Sequence, residues 1–146
     1  MEDFNELEWI NQFFDNAVDL QQNEGLERIK NFALFWNMFE NFACGNFANV
    51  AKIESFVVKL NNRTAITNEF VIRAKGKVVA VLSRQVATPR EILEALLLIL
   101  LRFRNNLFHG NKQIVNLNTQ VSNFTHANRL LADVLTLMKQ NHLITF

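Results

Sequence analysis

Apolar residues recur three and four positions apart along almost the whole chain, which is the spacing that places them on one face of an α-helix. The sequence has a single proline and four glycines, and no repeat or Pro/Gly-rich linker divides it. We therefore predict one all-α domain over residues 1–146, built as a bundle of about five helices. The predicted helices cover about residues 4–22, 24–44, 47–60, 89–109 and 123–141.

The longest apolar stretch has the clearest start and end signals. Thr88 is suited to cap a helix, Pro89 to fill its first position and Glu91 to reach back to the cap, which together form a capping box. Gly110 is suited to end this helix, because glycine readily adopts the left-handed backbone conformation that follows a helix. The aliphatic run 96–101 is far shorter than the ~20 residues that cross a bilayer, so this helix is predicted to be a core or interface helix.

The segment between the third and fourth predicted helices has a different pattern. Asn61 and Asn62 are expected to end the third helix after Leu60. Two short β-branched runs then flank Lys75-Gly76-Lys77, which favours a short β-hairpin near residues 69–82, with helix and loop as the alternative. The predicted fold class is therefore an all-α bundle with a hairpin insertion.

Charge is segregated along the chain, although the net charge is only +1. Residues 1–27 contain eight carboxylates and no Lys or Arg, whereas residues 73–112 contain eight basic residues and two acidic ones, a local balance of +6. Such a basic segment could hold a polyanion. The alternative is that these charges only solvate a surface.

Composition also indicates a cellular location. The single cysteine, Cys44, cannot form an internal disulfide, and the first residues lack the basic and apolar segments of a secretory signal. We expect a cytoplasmic protein that does not span a membrane. No cofactor is expected, because Cys44 and the three histidines have no metal-ligand spacing.

Polar side chains that could take part in catalysis, two Arg, two Asn and one His, are concentrated at the end of the long helix. They lie in the segment Arg102-Phe103-Arg104-Asn105-Asn106-Leu107-Phe108-His109-Gly110. Asn105 and His109 are four residues apart and share a helix face, but Arg104 and His109 lie about 140° apart around the axis. Two such helices that cross at a dyad could bring each Arg close to a His. The alternative is that these cations complement the helix dipole and that Gly110 is only a C-terminal cap.

This segment resembles the signature of the HEPN family (higher eukaryotes and prokaryotes nucleotide-binding domain). Family members carry an Arg, usually a polar residue, three to five further residues and then a His on a helix of an all-α bundle. Arg104, Asn105 and His109 match that pattern, and Gly110 is a frequent follower. The resemblance is confined to roughly residues 88–140 and indicates no subfamily.

The resemblance implies a metal-independent endoribonuclease of the toxin-antitoxin or antiviral, abortive-infection type, active as a homodimer with both motifs in one cleft. The implied catalytic residues are Arg104, Asn105 and His109. His109 would transfer protons, Arg104 would bind the phosphate, and Asn105 would orient His109 or the phosphate. Charge alone, without a motif match, adds Arg102, Lys112 and Arg84 as residues that bind the flanking RNA backbone.

Three hypotheses follow from the sequence. The first is the ribonuclease, restrained by a cognate antitoxin that is nucleotidyltransferase-like by analogy. The second is a non-catalytic HEPN module that binds nucleotide or RNA, or scaffolds a protein partner. The third is a plain interaction bundle, in which changes at Arg104 or His109 would alter only stability.

Overall fold

Every regular element in the described part of the computed structural model, residues 4–15, 24–74, 88–108 and 121–144, is an α-helix. The all-α fold class is thus confirmed, and no described helix is long and apolar enough to cross a membrane. The helices in chain order are α1 (Glu6–Phe13), α2 (Glu24–Cys44), α3 (Val50–Arg63), α4 (Asn68–Ala74), α5 (Pro89–Phe108) and α6 (Val121–Gln140).

Side chains that accept backbone N–H groups set the starts of four helices, α1, α3, α4 and α5. Asn5 Oδ1 accepts from Glu8 N at 3.0 Å at the start of α1. Thr88 and Glu91 form the predicted capping box of α5, in which Glu91 N donates to Thr88 Oγ1 at 3.2 Å and Thr88 N donates to Glu91 Oε1 at 3.4 Å. Each cap satisfies a backbone donor that the helix itself leaves without a partner.

The start and end of the third helix differ from the prediction. Asn49 Oδ1 accepts from Lys52 N at 2.8 Å, so α3 begins at Val50 and not at Phe47. At the other end Asn61 lies inside the helix, and its Oδ1 accepts from Ile66 N at 3.1 Å. The Asn61-Asn62 pair therefore stabilises the exit from α3 instead of breaking the helix.

The predicted hairpin near residues 69–82 is wrong where the structure describes it, because residues 68–74 form helix α4. Thr67 Oγ1 accepts from Phe70 N at 3.1 Å, which anchors the first turn. Phe70 and Val71 are buried, and α4 packs on both α5 and α6. Burial of these side chains outweighs the local preference of a β-branched run for a strand. Residues 75–82 lie outside the described residues.

The core is built on the pairing of α2 with α6 and of α3 with α5. Helices α2 and α6 run antiparallel, since Arg28 O accepts from Asn128 Nδ2 at 3.0 Å and the Phe32 ring lies 5.6 Å from the Phe124 ring. Phe39 contacts Phe56 edge to face at 5.6 Å and joins α2 to α3. Through Phe32 and Phe39, helix α2 thus contacts both α6 and α3.

Cys44 lies at the end of α2, directly before Gly45, whose φ of 63° ends the helix as predicted. Burial raises the pKa of the Cys44 thiol from 9.0 to about 11, the nearby Glu40 carboxylate adds to the rise and Lys52 partly opposes it. The folded chain therefore binds the thiol proton more tightly than the unfolded chain does. Stability from this group is complete below pH 9 and is lost as pH rises through about 11.

Between pH 8.5 and 11, we expect the free energy of unfolding of the wild type to fall by on the order of 2 kcal/mol more than that of Cys44→Ala. The urea midpoint of the wild type should fall more steeply over the same range. Urea titrations of both proteins at several pH values measure this difference. Parallel curves for the two proteins would contradict the raised thiol pKa.

Candidate functional site at the end of α5

The last two turns of α5 are fixed to the bundle by an aromatic cluster. The ring centroid of Phe103 lies 4.8 Å from that of Phe124 in α6 and 5.6 Å from that of Phe32 in α2. Phe32 and Phe124 are both fully buried, and each contacts the other. Three helices therefore meet at Phe103, and the next residue along the chain is Arg104.

Arg104 occupies a position that the helix geometry assigns to the core. It follows Leu93, Leu97 and Leu100 at spacings of four, three and four residues, so all four residues share one face of α5. The three leucines are buried, and Arg104 is partly buried. A guanidinium is costly at such a position unless hydrogen bonds and partial solvent contact compensate for the lost hydration.

The Arg104 side chain is held by its neighbour in sequence. Its Nη1 donates to Asn105 Oδ1 at 3.1 Å in a partly buried setting. Asn105 thus orients the guanidinium, a role that the sequence analysis did not assign to it. The planar fork of a guanidinium carries five N–H donors in a geometry that suits bidentate contact with a phosphate.

The opposite face of α5 combines apolar and polar residues that remain in contact with solvent. Ala95, Leu98 and Ile99 are partly exposed, although their helix contains the longest aliphatic run of the chain. Arg102 and Asn106 continue the same face, and Arg102 is exposed. A partly open apolar strip with an exposed cation at its end is typical of a surface that another macromolecule covers.

The structure describes three of the six site residues predicted from the sequence. It brings Arg104 and Asn105 together and places Arg102 on a different face of the same helix. His109, Lys112 and Arg84 lie outside the described residues. Sequence reasoning overlooked the positioning role of Phe103 and Phe32, and the signal that could have revealed it is the density of Phe residues in the helical stripes.

Within residues 4–15, 24–74, 88–108 and 121–144, no cluster of three or more His, Cys, Asp or Glu side chains could hold a metal ion. No protein-family model matches the chain, and no curated protein or solved structure matches it significantly. The likeness to the HEPN signature therefore depends on the residues at the end of α5 and on the helical setting around them.

Proposed function

We propose that this chain is a metal-independent endoribonuclease of the HEPN type, active as a homodimer whose composite site joins the α5 ends of two copies. The observation that supports it most is the partly buried Arg104, placed in line with buried leucines and oriented by Asn105. A helix that needs a cation only to complement its dipole could carry it on an exposed face, as it carries Arg102.

The partly exposed strip Ala95, Leu98 and Ile99 supports the dimer in this proposal. Burial of this strip against its copy would remove apolar surface from water at an isologous interface. Arg102 and Asn106 lie on the same face, so the same contact would place these two polar side chains near the two-fold axis of the dimer. Arg104 lies on the other face of α5, so the catalytic cleft is proposed to adjoin this interface at the helix end and not to lie within it.

The proposed reaction uses the 2′-hydroxyl of the RNA as nucleophile. Its oxygen attacks the adjacent phosphorus, the bond from phosphorus to the 5′-oxygen breaks, and the products are a 2′,3′-cyclic phosphate and a 5′-hydroxyl. His109 takes the 2′ proton or returns one to the leaving 5′-oxygen, because an imidazole titrates near neutral pH. Arg104 stabilises the negative charge that develops on the phosphorane oxygens.

Exposed cations beyond the reacting phosphate would hold the RNA backbone. Arg102 is the described member of that set, with Lys112 and Arg84 proposed from charge alone. The biological role proposed is that of a toxin or an antiphage effector, restrained by a cognate antitoxin of nucleotidyltransferase-like kind. We propose that it acts in the cytoplasm.

The test is incubation of the purified protein with a chelator and a mixture of structured and unstructured RNAs. We expect cleavage of RNA to products that mass spectrometry identifies as cyclic phosphates. The matched control is the same sequence with deoxyribose at every position, which lacks the nucleophile and should stay intact. Cleavage of that DNA, or cleavage only when a divalent metal is present, would contradict the proposed chemistry.

The second candidate is a HEPN module that binds RNA or nucleotide without cleaving it. The exposed Arg102 beside a partly open apolar strip favours it, since this surface suits binding whether or not chemistry follows. Salt-dependent RNA binding with no cleavage of any RNA tested would select this function over the ribonuclease.

A further inference from the structure

A cavity opens where the end of α2 meets the outer side of α3. Its volume is about 330 Å³, within the range of about 300–1,000 Å³ that is usual for small-molecule sites. Two residues of α2 and four of α3 supply its main lining: Ala43, Cys44, Lys52, Ser55, Phe56 and Lys59. The site proposed at the end of α5 uses none of these side chains, so the cavity is a separate feature of the molecule.

The floor of the cavity is apolar. Phe56 and Cys44 are buried in the core, and Ala43 packs against it. Burial raises the pKa of the Cys44 thiol to about 11, so the sulfur carries no charge at neutral pH. Gly45 follows with a φ of 63° and no side chain to fill the opening. A floor of this kind favours an apolar group over water.

The rim of the cavity carries two ammonium groups and a hydroxyl. Lys52, Ser55 and Lys59 are exposed and follow one another at spacings of three and four residues, so they share one face of α3. Within the described part of the chain, neither lysine is paired with a carboxylate. Lys52 Nζ lies instead 5.6 Å from the centroid of the Phe47 ring. The lining therefore contains two positive charges and no negative one.

Nearby charges do not cancel those of the two lysines. Glu40 Oε2 accepts from Ala48 N at 2.9 Å, which holds this carboxylate on the backbone after α2 and outside the cavity lining. Glu54 lies about 140° or more around the α3 axis from both lysines. The C-terminal end of α2 carries about half a negative charge, which offsets less than one lysine. The rim thus remains a site for an anion.

We propose that this cavity binds a phosphate monoester with an apolar body. The phosphate lies at Lys52, Ser55 and Lys59, and the apolar body lies on Phe56. A phosphate monoester carries about −1.5 to −2 charges at pH 7, so it requires more than one cation, whereas one lysine balances a carboxylate. Lysine commonly binds phosphate as a point charge. This binding does not depend on the proposed ribonuclease function.

Hexyl phosphate is the first probe, because it joins a phosphate monoester to a chain of six carbons. We expect calorimetry to show that it binds at least about tenfold more tightly than methyl phosphate, since its further CH₂ groups leave water on the apolar floor. Hexyl methyl phosphate, a diester with one negative charge, should bind at least about twofold more weakly. Hexanol should not compete with hexyl phosphate. Competition by hexanol, or no binding of hexyl phosphate, would overturn the proposal.

Variants of the two lysines test the rim. Lys52→Gln and Lys59→Gln should each weaken hexyl phosphate binding by about two- to fivefold, and the double variant by about tenfold. The matched control is Lys30→Gln with Arg129→Gln, which removes the same charge from exposed positions on α2 and α6. Lys30 lies about 20 Å along α2 from the cavity. An equal loss in the control would show that only the net charge of the protein matters, and would overturn the site.

Amide chemical shifts locate the bound probe. In ¹⁵N-labelled protein, hexyl phosphate should shift the amides of Cys44, Gly45 and Ser55 more than those of α1. Helix α1 is the internal comparison, because its Trp9 and Phe13 are 52% and 66% exposed and offer another apolar surface. Shifts confined to α1 would contradict binding in the cavity.

A phosphate monoester can come from a small molecule or from the end of a nucleic acid strand. A short DNA strand with a 5′-phosphate, and the same strand without it, distinguish these sources and lack the 2′-hydroxyl that the proposed ribonuclease needs. Competition with hexyl phosphate by the phosphorylated strand alone would identify a strand end as ligand, and competition by neither strand would identify a small molecule. Equal competition by both strands would overturn the requirement for a monoester.

Discussion

His109→Ala is expected to lower the rate of RNA cleavage by about 10²- to 10⁴-fold, because general acid–base catalysis contributes that much when a positioned imidazole transfers the proton. Arg104→Ala is expected to lower it by about 10²- to 10³-fold, the usual effect of removing one donor to a developing oxyanion. Both losses should appear in the maximal rate at saturating RNA. Single-turnover cleavage of a labelled RNA with excess enzyme measures them directly.

Three further variants separate catalysis from binding and from folding. Arg104→Lys keeps the charge but loses the planar fork and the geometry of the bond to Asn105, so we expect only partial recovery. Arg102→Ala should weaken RNA binding and reduce the number of counterions released on binding by about one, as read from the slope of log affinity against log salt. The maximal rate should change little. Asn105→Ala removes the carbonyl that accepts from the Arg104 guanidinium, and should lower the rate less than Arg104→Ala does.

Each variant must first show the helical circular dichroism and urea midpoint of the wild type. His109→Ala or Arg104→Ala proteins that are folded and cleave RNA at the normal rate would contradict the assignment of the motif. Loss of stability without any cleavage activity in the wild type would instead support the interaction bundle. The experiment thus decides among the three hypotheses that the sequence left open.

The helical part of the fold was predictable because its signals are local. Thr88 and Glu91 specify a capping box from sequence alone, and the structure forms it. Gly45 ends α2 with a left-handed backbone, as its sequence position indicated. The apolar period of α5 and α6 fixed the extent of both helices closely, since each needs a continuous buried face over about five turns.

Features that depend on tertiary contacts were not predictable in this way. The run Phe70-Val71-Ile72 prefers a strand locally, but α5 and α6 bury Phe70 and Val71 on a helix. Helix α1 is a second example, because the exposure of its side chains also depends on tertiary contacts. Its apolar period predicts a helix over about residues 4–22, whereas α1 ends at Phe13, and the period does not reveal that Trp9 and Phe13 are exposed.

The candidate site was predictable as a set of residue types and not as a geometry. The sequence shows Arg104 and Asn105 as neighbours, but side chains of adjacent helical residues diverge by about 100°, so their hydrogen bond is not an expected feature. The partial burial of Arg104 also depends on how far the bundle extends around the end of α5. Only packing determines that extent.

Phe32→Ala is expected to cost about 3–5 kcal/mol of unfolding free energy, the largest effect of any single core truncation proposed here. Phe32 is fully buried and contacts Trp36, Phe103 and Phe124, so its removal leaves a cavity where α2, α5 and α6 meet. A cost of this size is a large fraction of the stability of an ordinary domain. Urea denaturation at one fixed protein concentration measures it, since dimerisation would make the midpoint depend on concentration.

Two controls make the Phe32 result specific. Phe47→Ala removes the same type of side chain from a position that is 62% exposed. Lys52 Nζ lies 5.6 Å from the centroid of the Phe47 ring. The substitution should lower the free energy of unfolding by less than about 1 kcal/mol. Phe32→Leu keeps most of the volume and should retain most of the stability. A cost for Phe32→Ala close to that of Phe47→Ala would mean that the aromatic cluster does not fix the end of α5.

The Phe32 cluster also links stability to the proposed chemistry. Phe103 contacts Phe32 directly, and Arg104 is the next residue, so a cavity at Phe32 gives the last turns of α5 room to shift. Catalytic groups displaced by about 1 Å can lose about 10²-fold in rate. We therefore expect folded Phe32→Leu to cleave RNA more slowly than Phe47→Ala, although neither residue belongs to the motif. Equal rates for the two folded variants would show that the position of Arg104 does not depend on the aromatic cluster beneath it.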